Sequence, residues 1–256
     1  MNLLTRPHLL LCLALAAPGL ALAQAQATVK PDGQFRFAFG AGASYASGNT
    51  SASSVNLSGD GVKATADSKW QFGGKANWAR ADGATTAENA ELGTQYDQDI
   101  TPMWFGFGKA DALRDKPANV SARASLFGGV GRHVIKREGL TFDLSAGLGY
   151  TEDRYVDAAD VNGALRTRYG RAEGLLAEES THQWTPTTSF HQKLSLFPAL
   201  RSGGGFRGVF DSGLSVAMTN TLSLTAGLNY RYNSEPGVGL KKGDTLFVTG
   251  ISVKLD

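Results

Sequence analysis

The sequence predicts an all-β protein, a transmembrane antiparallel up-and-down barrel, and three observations support this fold class. An export signal precedes the rest of the chain, alternating segments recur along it, and aromatic residues stand at many segment ends. In the segment 140–150, Leu, Phe, Leu, Ala, Leu and Tyr occupy every second position, with polar or glycine residues between them. Because side chains point alternately to the two faces of a strand, this segment has one apolar and one polar face. Membrane barrels are built from such strands, apolar outside and polar inside.

The first 23 residues are predicted to be a cleaved secretory signal peptide. Arg6 supplies the positive charge, residues 9–17 the apolar core, and the A-L-A sequence at 21–23 the cleavage site. Cys12 is the only cysteine, and its interpretation as a lipoprotein anchor is poor because a bulky residue precedes it. The mature chain is therefore expected to lack disulfides and cysteine metal sites.

The composition fits the same class. The 32 glycines and the apolar content of 42% suit a barrel, in which only every second strand residue needs to be apolar. A net charge of +2 gives no polybasic surface, so no nucleic-acid partner is expected. No later segment has the ~18 consecutive apolar residues that a spanning helix requires. The predicted organisation is a signal peptide at 1–23, a short periplasmic leader at 24–33 and an outer-membrane barrel at 34–256.

Twelve strands are predicted after the leader. Their predicted limits are 34–47, 50–65, 68–82, 86–99, 103–112, 120–135, 140–155, 169–183, 188–198, 205–218, 221–233 and 244–256. The first, seventh and eleventh alternate best, because apolar and polar residues take turns through most of their length. The second and eighth alternate poorly, and ten strands is the alternative if the eighth is wrong.

The connections between the predicted strands fall into two classes. Those after even strands are tight, whereas those after odd strands are mostly longer, with 153–168 and 233–244 as the clearest examples. Outer-membrane barrels have short periplasmic turns and longer outside loops. The alternation therefore places both termini in the periplasm. The short first loop at 47–49 is an exception.

Aromatic residues form two predicted bands that match this topology. Amphipathic rings favour the boundary between membrane and water. The alternative is a soluble β-sandwich with ordinary core aromatics, which would not need two bands matched to the turns. The lower band comprises Trp70, Trp104 and Trp184, and the upper band comprises Tyr45, Trp78, Tyr150 and Tyr230.

Two patches of sequence carry a family resemblance. One is the S-G-N-T corner at 47–50, after Tyr45. The other is the C-terminal hairpin, with L-N-Y-R-Y-N-S-E-P at 228–236 and K-G-D-T at 242–245. Together they resemble the family of salt-induced outer-membrane proteins, a domain of unknown function. The resemblance implies a Gram-negative outer-membrane barrel linked to salt or osmotic stress, and it implies no reaction and no catalytic residues. The chain departs from many such barrels in ending on Asp256 rather than on an aromatic residue.

The sequence gives little support for catalysis or metal binding. His191 and Ser195 share one face of the ninth predicted strand, but four residues along a strand span ~13 Å, beyond hydrogen-bond reach. An outer-membrane hydrolase is therefore a distant alternative. The acidic segment 157–163 lacks the ligand spacing of a calcium loop. We expect no enzyme, no cofactor and no bound metal.

The polar faces of the predicted strands place charged residues in the lumen. Two interpretations stay open: pairing across the strands would plug the barrel, whereas an open lumen would be a narrow pore. Because bases outnumber acids in this set, an open pore would weakly favour anions. The predicted lumen residues are Arg36, Lys75, Glu91, Arg123, Asp143, Lys193, Arg207, Asp211 and Arg231.

The expected function is a small passive channel, or a membrane component of envelope and osmotic adaptation. The alternative is a barrel with a closed lumen that acts through outside loops such as 153–168. The expected partners are outer-membrane lipid, the barrel-assembly machinery during biogenesis, and small ions or solutes.

Overall fold

Twelve consecutive antiparallel strands form one closed barrel. The computed structural model describes residues 27–46, 52–161, 163–201, 205–236 and 240–255. The predicted signal peptide, the S-G-N-T corner and Asp256 lie outside these residues. In this part of the chain, no helix is long and apolar enough to cross a membrane. The strands are β1 (Phe35–Ala46), β2 (Ala52–Ala64), β3 (Ser68–Ala81), β4 (Ala84–Thr101), β5 (Trp104–Asp115), β6 (Val120–Arg137), β7 (Leu140–Val161), β8 (Ala164–Thr185), β9 (Thr188–Pro198), β10 (Phe206–Ala217), β11 (Leu222–Asn233) and β12 (Gly243–Leu255).

Pairing between the first and last strands closes the sheet. Phe37 of β1 lies opposite Leu255 of β12, and Ala41 lies opposite Ile251. The strand that alternates poorly, β8, pairs with β7 on one side and with β9 on the other. The prediction of twelve strands is therefore confirmed, and the alternative of ten is wrong. A closed barrel satisfies the backbone hydrogen bonds of its strands internally, with no open edge.

The alternation of faces holds through the ladder. In β7, Leu148 is 65% exposed on the outer surface, and Leu144 and Tyr150 also point outward. Just after Tyr150, Thr151 and Asp153 are almost fully buried on the inner face. The outer surface is thus an apolar belt and the inner surface is largely polar, as predicted.

Aromatic side chains lie on the outer surface near both ends of the strands. Trp70, Trp104 and Trp184 are exposed beside the turns that follow even strands. Trp78 and Tyr230 are exposed toward the opposite ends, and Tyr150 is exposed about halfway along β7. The side chain of Tyr45 lies outside the described residues.

The turns after even strands are short, as predicted, but the predicted loop at 153–168 is wrong. The two strands β7 and β8 continue through it and meet near Gly163, with Asp160 opposite Leu165. Charged residues occur on both faces of this extension, so its sequence does not alternate between apolar and polar. Once the strands leave the apolar belt, backbone hydrogen bonds alone maintain the ladder. Outward-facing Glu152, for example, is paired with exposed Arg168.

Inward-facing phenylalanines lie against glycines of the neighbouring strand. The ring of Phe105 covers Gly131, and the ring of Phe127 covers Gly149. Two strands away from Phe107, a Cβ atom added to Gly147 would come within 2.9 Å of that ring and within 2.6 Å of the Gly128 carbonyl oxygen. These glycines therefore make room for flat-lying rings on the inner wall.

A glycine beneath a ring should tolerate no side chain. Replacing Gly131 with Ala would force the Phe105 ring to move, so we expect a loss of about 1–3 kcal/mol in the free energy of unfolding. Urea unfolding of the barrel in lipid vesicles measures this loss. The matched control is Gly108→Ala, because nothing lies within 4 Å of the added methyl group. Equal stability of the two variants would contradict the packing described.

Candidate functional site in the barrel lumen

A cavity of about 2020 Å³ occupies the lumen. Its lining includes Ser68 and Gly139 at the end with the short turns. It also includes Tyr155, Asp160 and Lys242 at the opposite end. The same cavity therefore touches both rims of the barrel.

Eight of the nine predicted lumen residues line this cavity: Lys75, Glu91, Arg123, Asp143, Lys193, Arg207, Asp211 and Arg231. Arg36 faces inward on β1 between exposed Phe35 and Phe37, but it is buried against the leader. Its guanidinium donates to Asp32 at 2.9 Å. This hydrogen bond holds the pKa of the Asp32 carboxyl well below its usual range.

Ion pairs cross the lumen at mid-height. The Lys75 ammonium on β3 donates to Asp211 on β10 at 3.0 Å, although these strands lie on opposite walls. Arg231 on β11 contacts Glu91 on β4 in the same way. Lys75 is also 3.6 Å from Glu91, which joins the two pairs. We call these four residues the luminal bridge.

A second level of contacts spans the lumen closer to the short turns. Lys69 on β3 lies 3.9 Å from Glu179 on β8. Lys193 on β9 donates to Glu179 at 2.7 Å and reaches Gln95 on β4 at 3.4 Å. Side-chain contacts therefore join the two opposing walls at two heights in the lumen.

A network of arginines and buried carboxylates lies toward the loop end. Arg171 donates to Asp153 at 2.7 Å and to Glu173 at 2.8 Å. Arg207 binds Glu173 at 2.6 Å from the other side. Arg123 also donates to Asp153. Both carboxylates are only 1% exposed, and such burial is tolerable because several guanidinium groups surround them.

An apolar cluster fills the lumen beside β5–β9. It consists of inward-facing side chains, with the Arg207 guanidinium 4.9 Å above the ring of Phe197. This cluster confines the polar path to the rest of the cross-section of the lumen. Its members are Phe105, Phe107, Phe127, Leu175 and Phe197.

Asp143, whose environment the sequence leaves open, has an imidazole partner. His133 Nδ1 lies 2.7 Å from Asp143, and its Nε2 lies 3.0 Å from Asp99. Lys136 donates to Asp99 at 2.6 Å. The Phe105 ring stacks on the imidazole at 4.8 Å. This group of charges lies close to the short-turn rim.

The inner wall carries many charges that the sequence analysis missed. Among the described lining residues, the missed acids outnumber the missed bases, so the basic excess of the nine predicted residues does not extend to the whole wall. The alternation in the strands could have revealed most of them, since they share the inward parity of their neighbours. The acids include Asp60, Asp97, Asp99, Asp111, Asp115, Asp153, Glu173 and Glu179, and the bases include Lys69, Lys109, Lys136, Arg171 and Lys254.

The two residues weighed for catalysis do not contact each other. His191 Nδ1 lies 3.4 Å from the Thr181 hydroxyl on the neighbouring strand. Ser195 is buried on the same inward face of β9, beside Val209 and Ala177 in the ladder. No cluster of three or more potential metal-ligating side chains occurs among the described residues.

The model of one protein family matches residues 39–255, which is nearly the whole barrel. The family is described as a protein of unknown function, DUF481. The chain belongs to the DUF481 family. No curated protein sequence matches it significantly.

Two solved membrane barrels are similar to this DUF481 chain. The NanC porin is 10% identical, with a TM-score of 0.43, over 86% of this chain and 98% of the porin. The translocator domain of the autotransporter NalP from Neisseria meningitidis is 12% identical, with a TM-score of 0.46, over 87% of each chain.

The buried carboxylates should depend on their arginines. Replacing Arg207 with Met leaves Glu173 with one fewer guanidinium partner, so we expect a loss of about 3 kcal/mol in the free energy of unfolding. Adding Glu173→Gln should recover part of that loss, because the uncompensated charge is removed. Urea unfolding in vesicles measures both effects.

The control is Arg168→Met, which removes an exposed ion pair with Glu152. Exposed pairs contribute at most about 1 kcal/mol. A loss as large as that of Arg207→Met would contradict the importance of burial.

Proposed function

We propose that the chain is an outer-membrane barrel that passes small polar solutes or ions through a narrow lumen. The apolar belt supports the membrane placement. Large apolar side chains such as Leu92, Leu126 and Leu148 are each at least 65% exposed around the barrel. Soluble proteins rarely expose contiguous apolar patches of more than a few hundred square ångströms.

The luminal cavity is the observation that carries the channel proposal. It reaches both rims, and most of the charged groups along it are already paired with one another. A solute therefore meets a wall of fixed dipoles and ion pairs rather than isolated charges. Because the luminal bridge spans the lumen, we expect the path to admit only small hydrated species.

The weak anion preference predicted from the sequence is no longer supported. It depended on an excess of bases over acids among nine residues. The carboxylates on the rest of the wall offset that excess. We therefore propose a pore with little charge preference, or with a slight preference for cations.

A closed barrel that acts through its outer surface is the second candidate. The luminal bridge favours it, because ion pairs between opposite walls obstruct the path at mid-height. The extended hairpin of β7 and β8 would then be the part that meets other molecules. A role in envelope or osmotic adaptation, which the family resemblance implies, is compatible with either candidate.

Conductance across a planar bilayer separates the two candidates. We expect the purified protein to give small, stepwise currents. The double variant Lys75→Met, Arg231→Met removes the cationic side of the luminal bridge and leaves Glu91 and Asp211 without these basic partners, although Asn229 still donates to Asp211. We expect larger steps and a reversal potential shifted toward cations in a salt gradient.

The matched control is Lys63→Met, because Lys63 faces outward against the Phe35 ring. Its currents should equal those of the wild-type protein. No current from either the wild-type protein or the double variant would overturn the channel and leave the closed barrel. A clear anion preference of the wild-type protein would contradict the proposed selectivity.

Labelling of single cysteines in intact cells tests the orientation. The predicted mature chain has no cysteine, so one can be placed at either end of the barrel. We expect a membrane-impermeant maleimide to label Arg166→Cys, on the extended hairpin. Ala66→Cys, in the turn between β2 and β3, should react only after the outer membrane is permeabilised. The reverse pattern would contradict periplasmic termini.

A further inference from the structure

The outer wall carries an acidic side chain in the middle of the apolar belt. Glu178 points outward from β8, since it lies between Leu144 and Leu194 in the ladder and Leu144 is 45% exposed on the outer surface. Along the β7–β8 hairpin, Tyr150 marks the upper aromatic band and Trp184 the lower one, and Glu178 lies between them. An ionisable side chain at this depth is costly, and in membrane proteins it commonly marks a functional contact.

Glu178 has an amide partner rather than a basic one. Its carboxylate accepts a hydrogen bond from Gln192 Nε2 on β9 at 2.8 Å. Gln192 itself lies between Ser180 on β8 and Ser212 on β10. We call Glu178, Gln192 and Ser212 the lateral polar patch; Ser180 is only 3% exposed and is not part of it. It extends over three adjacent strands of the outer wall.

The patch contains both donors and acceptors. A glutamine amide has two N–H groups and a carbonyl oxygen, and the contact with Glu178 uses only one N–H. The Glu178 carboxylate has further acceptor positions, and the Ser212 hydroxyl both donates and accepts. Lipid tails can satisfy none of these groups. Apolar side chains such as Phe190 and Leu228 surround the patch in the ladder.

We propose that the lateral polar patch binds a second copy of this chain within the membrane. A two-fold axis near Gln192 brings the amide of each copy beside the Glu178 carboxylate of the other. A donor then faces an acceptor twice, so the patch is complementary to itself, as an isologous interface requires. The surrounding leucines and phenylalanine form the apolar rim of the contact. This proposal rests on the proposed membrane placement, but not on an open lumen.

The mass of the protein in lipid nanodiscs tests the proposal. We expect the wild-type chain to occur as two copies in each disc. The double variant Glu178→Leu, Gln192→Leu should occur as single copies, because the carboxylate and the amide that pair the two copies are removed. The control Ala76→Leu changes the outward face of β3, on the far side of the barrel, and should keep two copies.

Cysteine cross-linking in vesicles gives a second measurement that does not depend on disrupting the contact. With an added oxidant, we expect Ser212→Cys to form a disulfide between two copies and Ala76→Cys to form none. Equal cross-linking at the two sites, or a wild-type protein that floats with vesicles as single copies, would overturn the dimer. A protein that does not float with vesicles would overturn the membrane placement, and the dimer with it.

Discussion

Closure of the sheet by β1 and β12 is the constraint on which the rest of the structure depends. In hydrocarbon, a backbone N–H or C=O without a partner costs several kcal/mol. A strand order without an open edge meets this requirement along all twelve strands. Once the sheet is closed, each strand has one face toward the lumen and one toward the outside. The side-chain alternation therefore follows from the requirement that every backbone hydrogen-bonding group is paired within a closed sheet.

The same closure gathers charged side chains into a narrow interior. There they cannot stay hydrated as on a free surface, so they bind one another across the lumen or along one wall. Asp153 and Glu173 are almost inaccessible, yet each is surrounded by guanidinium groups. The luminal bridge extends this pairing to opposite walls. Interior electrostatics and barrel shape are thus coupled, because each cross-lumen pair also fixes the distance between two walls.

The sequence predicted the strands well because their pattern has a period of two and needs no knowledge of distant residues. Most predicted limits agree with the structure to within a few residues. The segment 153–168 was mistaken for a loop because its charges lie outside the belt, where alternation no longer separates apolar from polar. Partners such as Lys75 and Asp211 could not be predicted, since their contact depends on which walls approach each other. The inward phenylalanines were missed because the pattern assigns large apolar side chains to lipid.

The glycines beneath the inward phenylalanines affect how the width of the lumen can change in evolution. Each ring lies flat because the residue below it has no side chain. A single methyl group at Gly131 would push the Phe105 ring toward the open cross-section without altering any charge. The width of the luminal path could therefore change through substitutions at positions that contact no solute. Residues without side chains would then tune permeability as effectively as the charged groups that line the wall.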